Sequence, residues 1–475
     1  MIEELPILEP ASPSIQQQSV LRRIRLHLGL SHLLSVRSIG LAVGAKVFGL
    51  AVTFSFHVVI SRKLHAGGAG LFYLSLATVT VVLVLTRIGV DVPLMRDTAI
   101  AIDSSDVHRL LRNLIEAASM TAVLALLAGL LLATCSGMVC GLIFRKAELS
   151  PFLRLLSMSL LPLSLLQTLC SFLKGTGLTA FALLIENPLL LAVALVFTPA
   201  LVHKYGGSGA AGAYLVGAVA AMTAAAFATT WRLRNLTSRG GFAATGLTGA
   251  WQSRDRLLSL FRGAIQHARG CRHFWANDLL LNLIGNLDSL LLGVFTAEQN
   301  VGIFNAVLRF SLAPSWFRTP VYNFAAPQMA SHWHRRNLHA LQAVSVSVAR
   351  ILALCTLPFL AVTILAPKMC LGLFGEEFKA GWIALLIVTF GKLCEVLAGP
   401  SRELLLLCNQ ERSVTIAVLS TVCFQAALLA ILVPKWGLTG AALANCLMSV
   451  FLAAQTLTWV RKRLSINSCC FAGRA

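Results

Sequence analysis

Apolar residues in this chain fall into long, nearly unbroken runs. Soluble helices and strands would show short alternating or one-in-three patterns instead. Twelve such runs can be read: 37–60, 68–90, 114–144, 151–173, 178–201, 209–231, 274–296, 301–326, 343–365, 380–399, 413–433 and 437–460. About 20 apolar residues in a helix cross the ~30 Å hydrocarbon core of a bilayer, and most of these runs reach that length. Segment 114–144 is longer and is expected to be trimmed or tilted. The pattern predicts an all-α polytopic membrane protein of about twelve transmembrane helices.

The polar stretches between the runs divide the chain. Residues 1–36 read as an N-terminal tail, mobile over its first twenty residues, with Pro6, Pro10 and Pro13. Residues 37–231 and 274–460 each hold six runs. The connection 232–273 is the longest and most basic, carrying Arg254, Arg256, Arg262, Arg269 and Arg272 interleaved with Trp251, Leu258 and Phe261. It reads as a linker with a short interfacial helix on anionic lipid. Residues 461–475 form a basic tail.

The two six-run halves repeat. Leu201-Val202-His203-Lys204-Tyr205-Gly206-Gly207-Ser208-Gly209-Ala210-Ala211 aligns with Leu432-Val433-Pro434-Lys435-Trp436-Gly437-Leu438-Thr439-Gly440-Ala441-Ala442, identical at seven of eleven positions. Gly70-Leu71-Phe72 matches Gly302-Ile303-Phe304, and Cys140 and Phe144 match Cys370 and Phe374, at nearly the same offset. Six crossings separate equivalent positions, so both halves run in the same sense. Such parallel repeats place a substrate site between two lobes.

Composition narrows the class. Hydrophobic residues make up 57% and charged residues 12%, against about 25% charged in soluble domains. A water-soluble globule and a disordered chain are both excluded. The formal charge is +20, and its distribution is a topology signal. With the N-terminus placed inside, 23 Lys and Arg fall in inner connections and 8 in outer ones. Cytoplasmic loops collect basic residues, so both termini are predicted to be cytoplasmic. No soluble domain carries the charge, which argues against nucleic acid as a partner. The acidic start, Met1-Ile2-Glu3-Glu4, is unlike a signal peptide. The 12 Cys show no CxxC pair or zinc spacing, so no metal or cofactor is expected. Most read as small buried hydrophobes.

Polar groups inside the runs carry the candidate chemistry, because a charge at the bilayer centre costs at least ~2.5–3.5 kcal/mol. In 274–296, Asp278, Asn282, Gly285, Asn286 and Ser289 share one face, with Asp288 at its edge and leucines opposite. That face lines either a polar cavity or an interhelical hydrogen-bond seam. In 37–60, Lys46, Gly49, Thr53 and His57 share a face, and Gly40 and Gly44 form a close-packing pair. Lys46 meets an anionic substrate or pairs with a carboxylate. Arg309 lies about 12 Å into its helix, followed by Pro314, which can open that helix. Its planar fork suits phosphate. Arg318 is nearer the inner end and can snorkel. Glu186-Asn187-Pro188 sits in mid-span, making Glu186 a proton or cation candidate. Lys392 and Glu395 are one turn apart and can neutralise each other. The substrate-binding candidates are therefore Arg309, Lys46, Lys392, Asn282 and Asn286. The ion-coupling candidates are Asp288, Asp278 and Glu186. No nucleophile–base constellation points to an enzyme.

The order of short motifs resembles the Wzx-type polysaccharide-transport flippases of the MATE/MOP superfamily. These motifs are Gly89 followed by Arg96; Asp288 with Leu291-Leu292-Gly293, Val301-Gly302-Ile303-Phe304 and Arg309; Leu373-Phe374-Gly375-Glu376-Glu377-Phe378; and Trp436-Gly437-Leu438-Thr439-Gly440-Ala441-Ala442. The likeness covers roughly 35–460. It implies two six-helix lobes in a MATE-like V. It also implies export of undecaprenyl-pyrophosphate-linked oligosaccharide across a bacterial inner membrane, for O-antigen, capsule or exopolysaccharide. Transport would be coupled to H+ or Na+, with a polysaccharide polymerase or export machinery as a possible partner. The alternative is a MATE-like cation or drug antiporter, which would rely on carboxylates and give Arg309 little to do.

Overall fold

The computed structural model describes the backbone of residues 15–104, 106–238, 254–312 and 314–470. Side chains are described for Gly44, 48–104, 106–236, 275–312, 318, 321–322 and 325–470. The described residues are helical almost throughout. The main helices are α1 (Ile15–Arg87), α2 (Asp91–Asp103), α3 (Val107–Thr134), α4 (Leu149–Ser157), α5 (Leu160–Gly175), α6 (Leu190–Tyr205) and α7 (Ser208–Ser238). In the second half they are α8 (Arg254–Phe295), α9 (Glu298–Ser311), α10 (Pro314–His334), α11 (Leu338–Leu365), α12 (Trp382–Leu397), α13 (Ser401–Leu407) and α14 (Glu411–Leu464).

Among the described residues, eight helices are long and apolar enough to cross a membrane, or nine if the bent pair α4–α5 is one span. Two of the eight double back. α1 breaks at His65 (φ 58, ψ −178), and His57 Nδ1 lies 3.1 Å from the Tyr73 hydroxyl. A straight helix would hold those residues about 24 Å apart. α14 breaks at Gly437 (φ 51, ψ −123), and the Phe424 and Phe451 rings stack at 4.6 Å.

The sequence repeat is visible as repeated geometry. Gly206 turns α6 into α7 with φ 63 and ψ −147, close to the values at its counterpart Gly437. A Cβ on Gly209 would strike the Leu201 carbonyl, and one on Gly440 would strike the Leu432 carbonyl. Glycine adopts the positive φ of these turns without strain, and three residues on the close backbone approach leaves no room for a Cβ.

The halves meet through a glycine pair. A Cβ on Gly70 would overlap the Glu298 carbonyl, and a Cβ on Gly302 would overlap the Ala66 carbonyl. Gly70 and Gly302 are repeat equivalents, as are Ala66 and Glu298, so this contact is two-fold symmetric. Around it lie cross-links at the end of the molecule predicted to face outward. Lys146 Nζ donates to the Gly293 (2.7 Å) and Thr296 (2.5 Å) carbonyls at the C-terminus of α8. The amide of Ala66 donates to Glu377 Oε2 at 2.9 Å. Arg62 Nε donates to the Leu373 carbonyl at 2.8 Å.

Packing divides in the same way. One apolar core joins both halves, from Phe56, Phe72 and Leu156 to Phe304, Phe374 and Val433. Towards the predicted inner end it gives way to two separate clusters. One holds Leu94, Leu110, Met120 and Phe172, and the other Met329, Leu352, Leu405 and Val418.

The structure changes several expectations. The long run 114–144 is not one helix: α3 ends at Thr134, and a short helix and a π turn (Cys140–Phe144) follow. The backbone from Arg254 is helical and continuous with the following run in α8, while residues 239–253 lie outside the described residues. The N-terminal tail is helical from Ile15, and residues 1–14 lie outside the described residues. Gly44 has open space where a Cβ would stand; the close approach comes at Gly49, against Pro188.

Candidate functional site

α8 carries the polar face expected of it, and the fold sends its members to three destinations. At the inner end, Asp278 Oδ2 accepts from Arg87 at 2.9 Å, and Arg87 also holds Asp91 at 2.5 Å. Gly89, with φ +69, lets Trp275 approach there. One and two turns further along, Asn282 and Asn286 bond back to Asp278 and Asn282 on their own helix. Gly285 between them is exposed, with open space beside it. Then the face turns inward: Ser289 accepts from Asn305 of α9 at 3.0 Å, and Asp288 is buried among α8 and the two arms of α14.

Asp288 is 1% exposed. Its Oδ1 accepts from Gln425 Nε2 at 2.9 Å and its Oδ2 from Asn445 Nδ2 at 2.5 Å. No basic side chain stands within ion-pair distance among the described residues. The carbonyl oxygens of Gln425 and Asn445 are buried without partners. A carboxylate buried without a cationic partner is a candidate to take up a proton or a small cation. The repeat sharpens the point. Asp288 and Asn445 correspond to Phe56 and Tyr214, whose rings lie 6.4 Å apart. The position that is aromatic in the first half is polar in the second.

Arg309 lies eleven residues into α9, about 16 Å from its start. The helix ends two residues later, and α10 begins at Pro314. This is the break the proline predicts. The Nε of Arg309 is buried with no hydrogen-bond partner. His57, Tyr73 and Tyr214 of the first half lie within its electrostatic reach. No carboxylate pairs with it among the described residues.

The remaining candidates have partners. Glu186 sits in a π turn, Ile185–Leu189, opened by Pro188. It accepts from Lys174 Nζ at 2.7 Å. Lys392 pairs with Glu395 at 2.9 Å and reaches Ser449 at 3.3 Å. Arg318 does not snorkel freely but holds Glu395 at 2.7 Å and Glu403 at 3.5 Å. The Lys46 side chain lies outside the described residues. Its helix face is packed further along, where Thr53 bonds the Gly49 carbonyl and His57 is buried against Tyr73.

Gln425 and Asn445 are the candidate-site residues that sequence reasoning missed. Each is a polar residue inside an apolar run, 413–433 and 437–460. That was a usable signal, since such residues seek partners, but only the tertiary fold points both at Asp288.

No family model and no curated protein matches the sequence. Solved structures do. An inward-facing multidrug resistance MATE family transporter of the MOP superfamily has a TM-score of 0.66 at 16% identity, covering 88% of this chain and 94% of that one. The lipid II flippase MurJ, in an inward closed conformation, has a TM-score of 0.64 at 12% identity, covering 89% and 87%. A MOP superfamily transporter from Pyrococcus furiosus, described as having a binding pocket of reverse polarity, has a TM-score of 0.55 at 16% identity, covering 90% and 95%. At these identities the likeness shows the fold alone: the chain is an all-α, multi-pass membrane protein folded like these structures.

Proposed function

We propose that this protein is an ion-coupled, alternating-access exporter, and that its cargo is an anionic amphiphile of the lipid-linked oligosaccharide type. On this reading the chain crosses a bacterial inner membrane twelve times in two six-helix lobes. Each hairpin, α1 and α14, counts as two crossings and the broken pair α9–α10 as one. The outer glycine clasp and the split inner core correspond to a state open towards the cytoplasm.

The observation that carries the cargo is Arg309. Arg87, Lys174, Arg318 and Lys392 each hold a carboxylate, whereas Arg309 has none among the described residues. A guanidinium at that depth, facing two tyrosines and a histidine of the other half, suits a pyrophosphate oxygen. A pyrophosphate-sugar head cannot cross ~30 Å of hydrocarbon unaided. Asp288 supplies the complementary element, a protonatable or cation-binding carboxylate for coupling.

A second reading, a cation or drug antiporter, is favoured by Asp288 itself and by the MATE transporters among the similar structures. Deleting the gene and weighing undecaprenyl-linked glycans by mass spectrometry separates the two. A flippase predicts a swollen pool of lipid-linked repeat units and lost surface polysaccharide, rescued by wild type but not by Arg309→Ala. An unchanged pool with raised sensitivity to cationic drugs rejects the flippase and supports the antiporter.

A further inference from the structure

The predicted outer end of the molecule carries a cavity that involves neither Arg309 nor Asp288. Its volume is about 510 Å³, within the ~300–1,000 Å³ typical of ligand sites. Gly67 and Gly68 line it from α1, and Gly206 and Gly207 line it from the turn between α6 and α7. Three charged side chains also line it: Lys63, Glu148 and, from the second half, Glu298. Among the described residues none of the three makes a side-chain hydrogen bond or an ion pair. Lys146 stands near Glu298 but gives its ammonium to the Gly293 and Thr296 carbonyls. The internal repeat shows what takes this place in the other half. Gly67 and Gly68 correspond to Gln299 and Asn300, and Gly207 corresponds to Leu438. Asn300 Nδ2 comes within 4.0 Å of the position a Cβ on Gly437 would take. Side chains therefore reach across in the second half where the first half has only glycine.

We infer that this cavity is a saccharide-binding site on the outer face, taking a sugar unit of the exported head group. The inference rests on the lipid-linked oligosaccharide reading for its ligand, and adds a contact on the far side of the membrane from where the cargo is loaded. Two carboxylates offer acceptors only, and an ammonium offers donors only. A sugar hydroxyl both donates and accepts, so one ring satisfies both kinds at once. Leu64, Leu71 and Phe152 supply apolar surface in the same cavity, which suits the C–H face of a sugar ring. Other ligands match it less well. A bare pyrophosphate would meet two carboxylates, and an organic cation would meet Lys63. A metal ion would need more ligands, and among the described residues no three His, Cys, Asp or Glu side chains gather to hold one. Glu298 opens α9, eleven residues and about 16 Å before Arg309, so the two sites are separate. The carbonyl of Glu298 is also the atom that a Cβ on Gly70 would overlap. Lys63 and Glu148 belong to the first half and Glu298 to the second, so the site is complete only while the outer clasp is closed.

Saturation-transfer difference NMR tests the site, on full-length protein in lipid nanodiscs free of sugar detergent. The probes are the oligosaccharide released by mild acid from the lipid-linked pool of the deletion strain, and the methyl glycosides of glucose, galactose and N-acetylglucosamine. Wild type should transfer saturation to the ring protons of at least one probe. Gly67→Gln gives the first half the side chain that its counterpart carries, and should abolish the transfer. A Cβ at Gly67 meets only ordinary contacts at 3.8 Å, and glutamine is a better helix former than glycine, so this variant should fold. Glu148→Gln, at an exposed position, should weaken the transfer independently. Lys204→Gln, at the exposed turn and outside the cavity lining, should leave it unchanged. Transfer that survives both Gly67→Gln and Glu148→Gln puts the sugar elsewhere and overturns the site. Silence from every probe on folded wild type overturns it as well; a swollen lipid-linked pool in the deletion strain would then leave the flippase reading standing without it. Transfer to tetraphenylphosphonium instead of sugar, lost in Gly67→Gln, overturns the saccharide assignment and makes the cavity a cation site. If the deletion strain accumulates no pool, the flippase reading fails on its own count, and the methyl glycosides alone decide whether the cavity takes sugar.

Discussion

Two charges of opposite sign at membrane depth carry the proposed chemistry at the residue scale. Arg309 keeps a shielded Nε without a partner, and Asp288 is held by two amides. Arg309→Lys should retain part of transport, because the charge stays while the bidentate fork is lost. Arg309→Ala should lose it, and export of the lipid-linked pool by each variant at equal membrane abundance checks the order. Arg87 has a different role, holding both Asp91 and Asp278. Arg87→Ala should lower stability by roughly 2–3 kcal/mol. That is less than the ~3–5 kcal/mol of a fully buried pair, because the Asp278 side chain remains 41% accessible. A thermal shift in detergent measures it, and Arg87→Met combined with Asp278→Asn should recover part of the loss.

At the scale of elements, the contact of Gly70 with Gly302 sets how closely α1 and α9 approach. Each glycine stands where a side chain would meet the other helix's carbonyl. Gly70→Leu should hold the outer end apart without unfolding either helix. With native cysteines replaced, a Lys146→Cys/Thr296→Cys pair reports the closure, since Lys146 donates to the Thr296 carbonyl in the closed form. The cross-link should form readily in the parent and drop sharply on adding Gly70→Leu; equal yields would show that the glycine pair is not the clasp. The clasp also shows how a repeat loses symmetry. Lys146 caps carbonyls at a helix C-terminus, while Glu377, near its repeat-equivalent position, caps the amide of Ala66. Each charge matches the helix end it faces.

For the whole molecule, the distribution of Lys and Arg predicts orientation. Alkaline phosphatase fused after residue 475 should be inactive and a green fluorescent protein fusion bright, while phosphatase inserted near Lys204 should be active. The reverse result would invert the molecule and move the glycine clasp to the cytoplasmic side. The packing makes the same division from within, with one core shared at the clasped end and two at the other.

Apolar runs, loop charge and the internal repeat could be read directly from the sequence. Lipid forces helices about 20 residues long and loops are sorted by charge, so each of these features is local in the chain. The helix break before Pro314 and the Lys392–Glu395 pair were legible for the same reason. Partners distant in sequence were not. That Glu186 meets Lys174, Asp278 meets Arg87 and Asp288 meets Gln425 and Asn445 depends on which helix faces which. Periodicity gives the angle of a residue on its own helix and nothing about its neighbour. The sequence by itself therefore determined an all-α, multi-pass membrane fold and a short list of charges at membrane depth. Only the tertiary structure decided which of those charges are neutralised, and so left Arg309 and Asp288, among the described residues, without a partner of opposite charge.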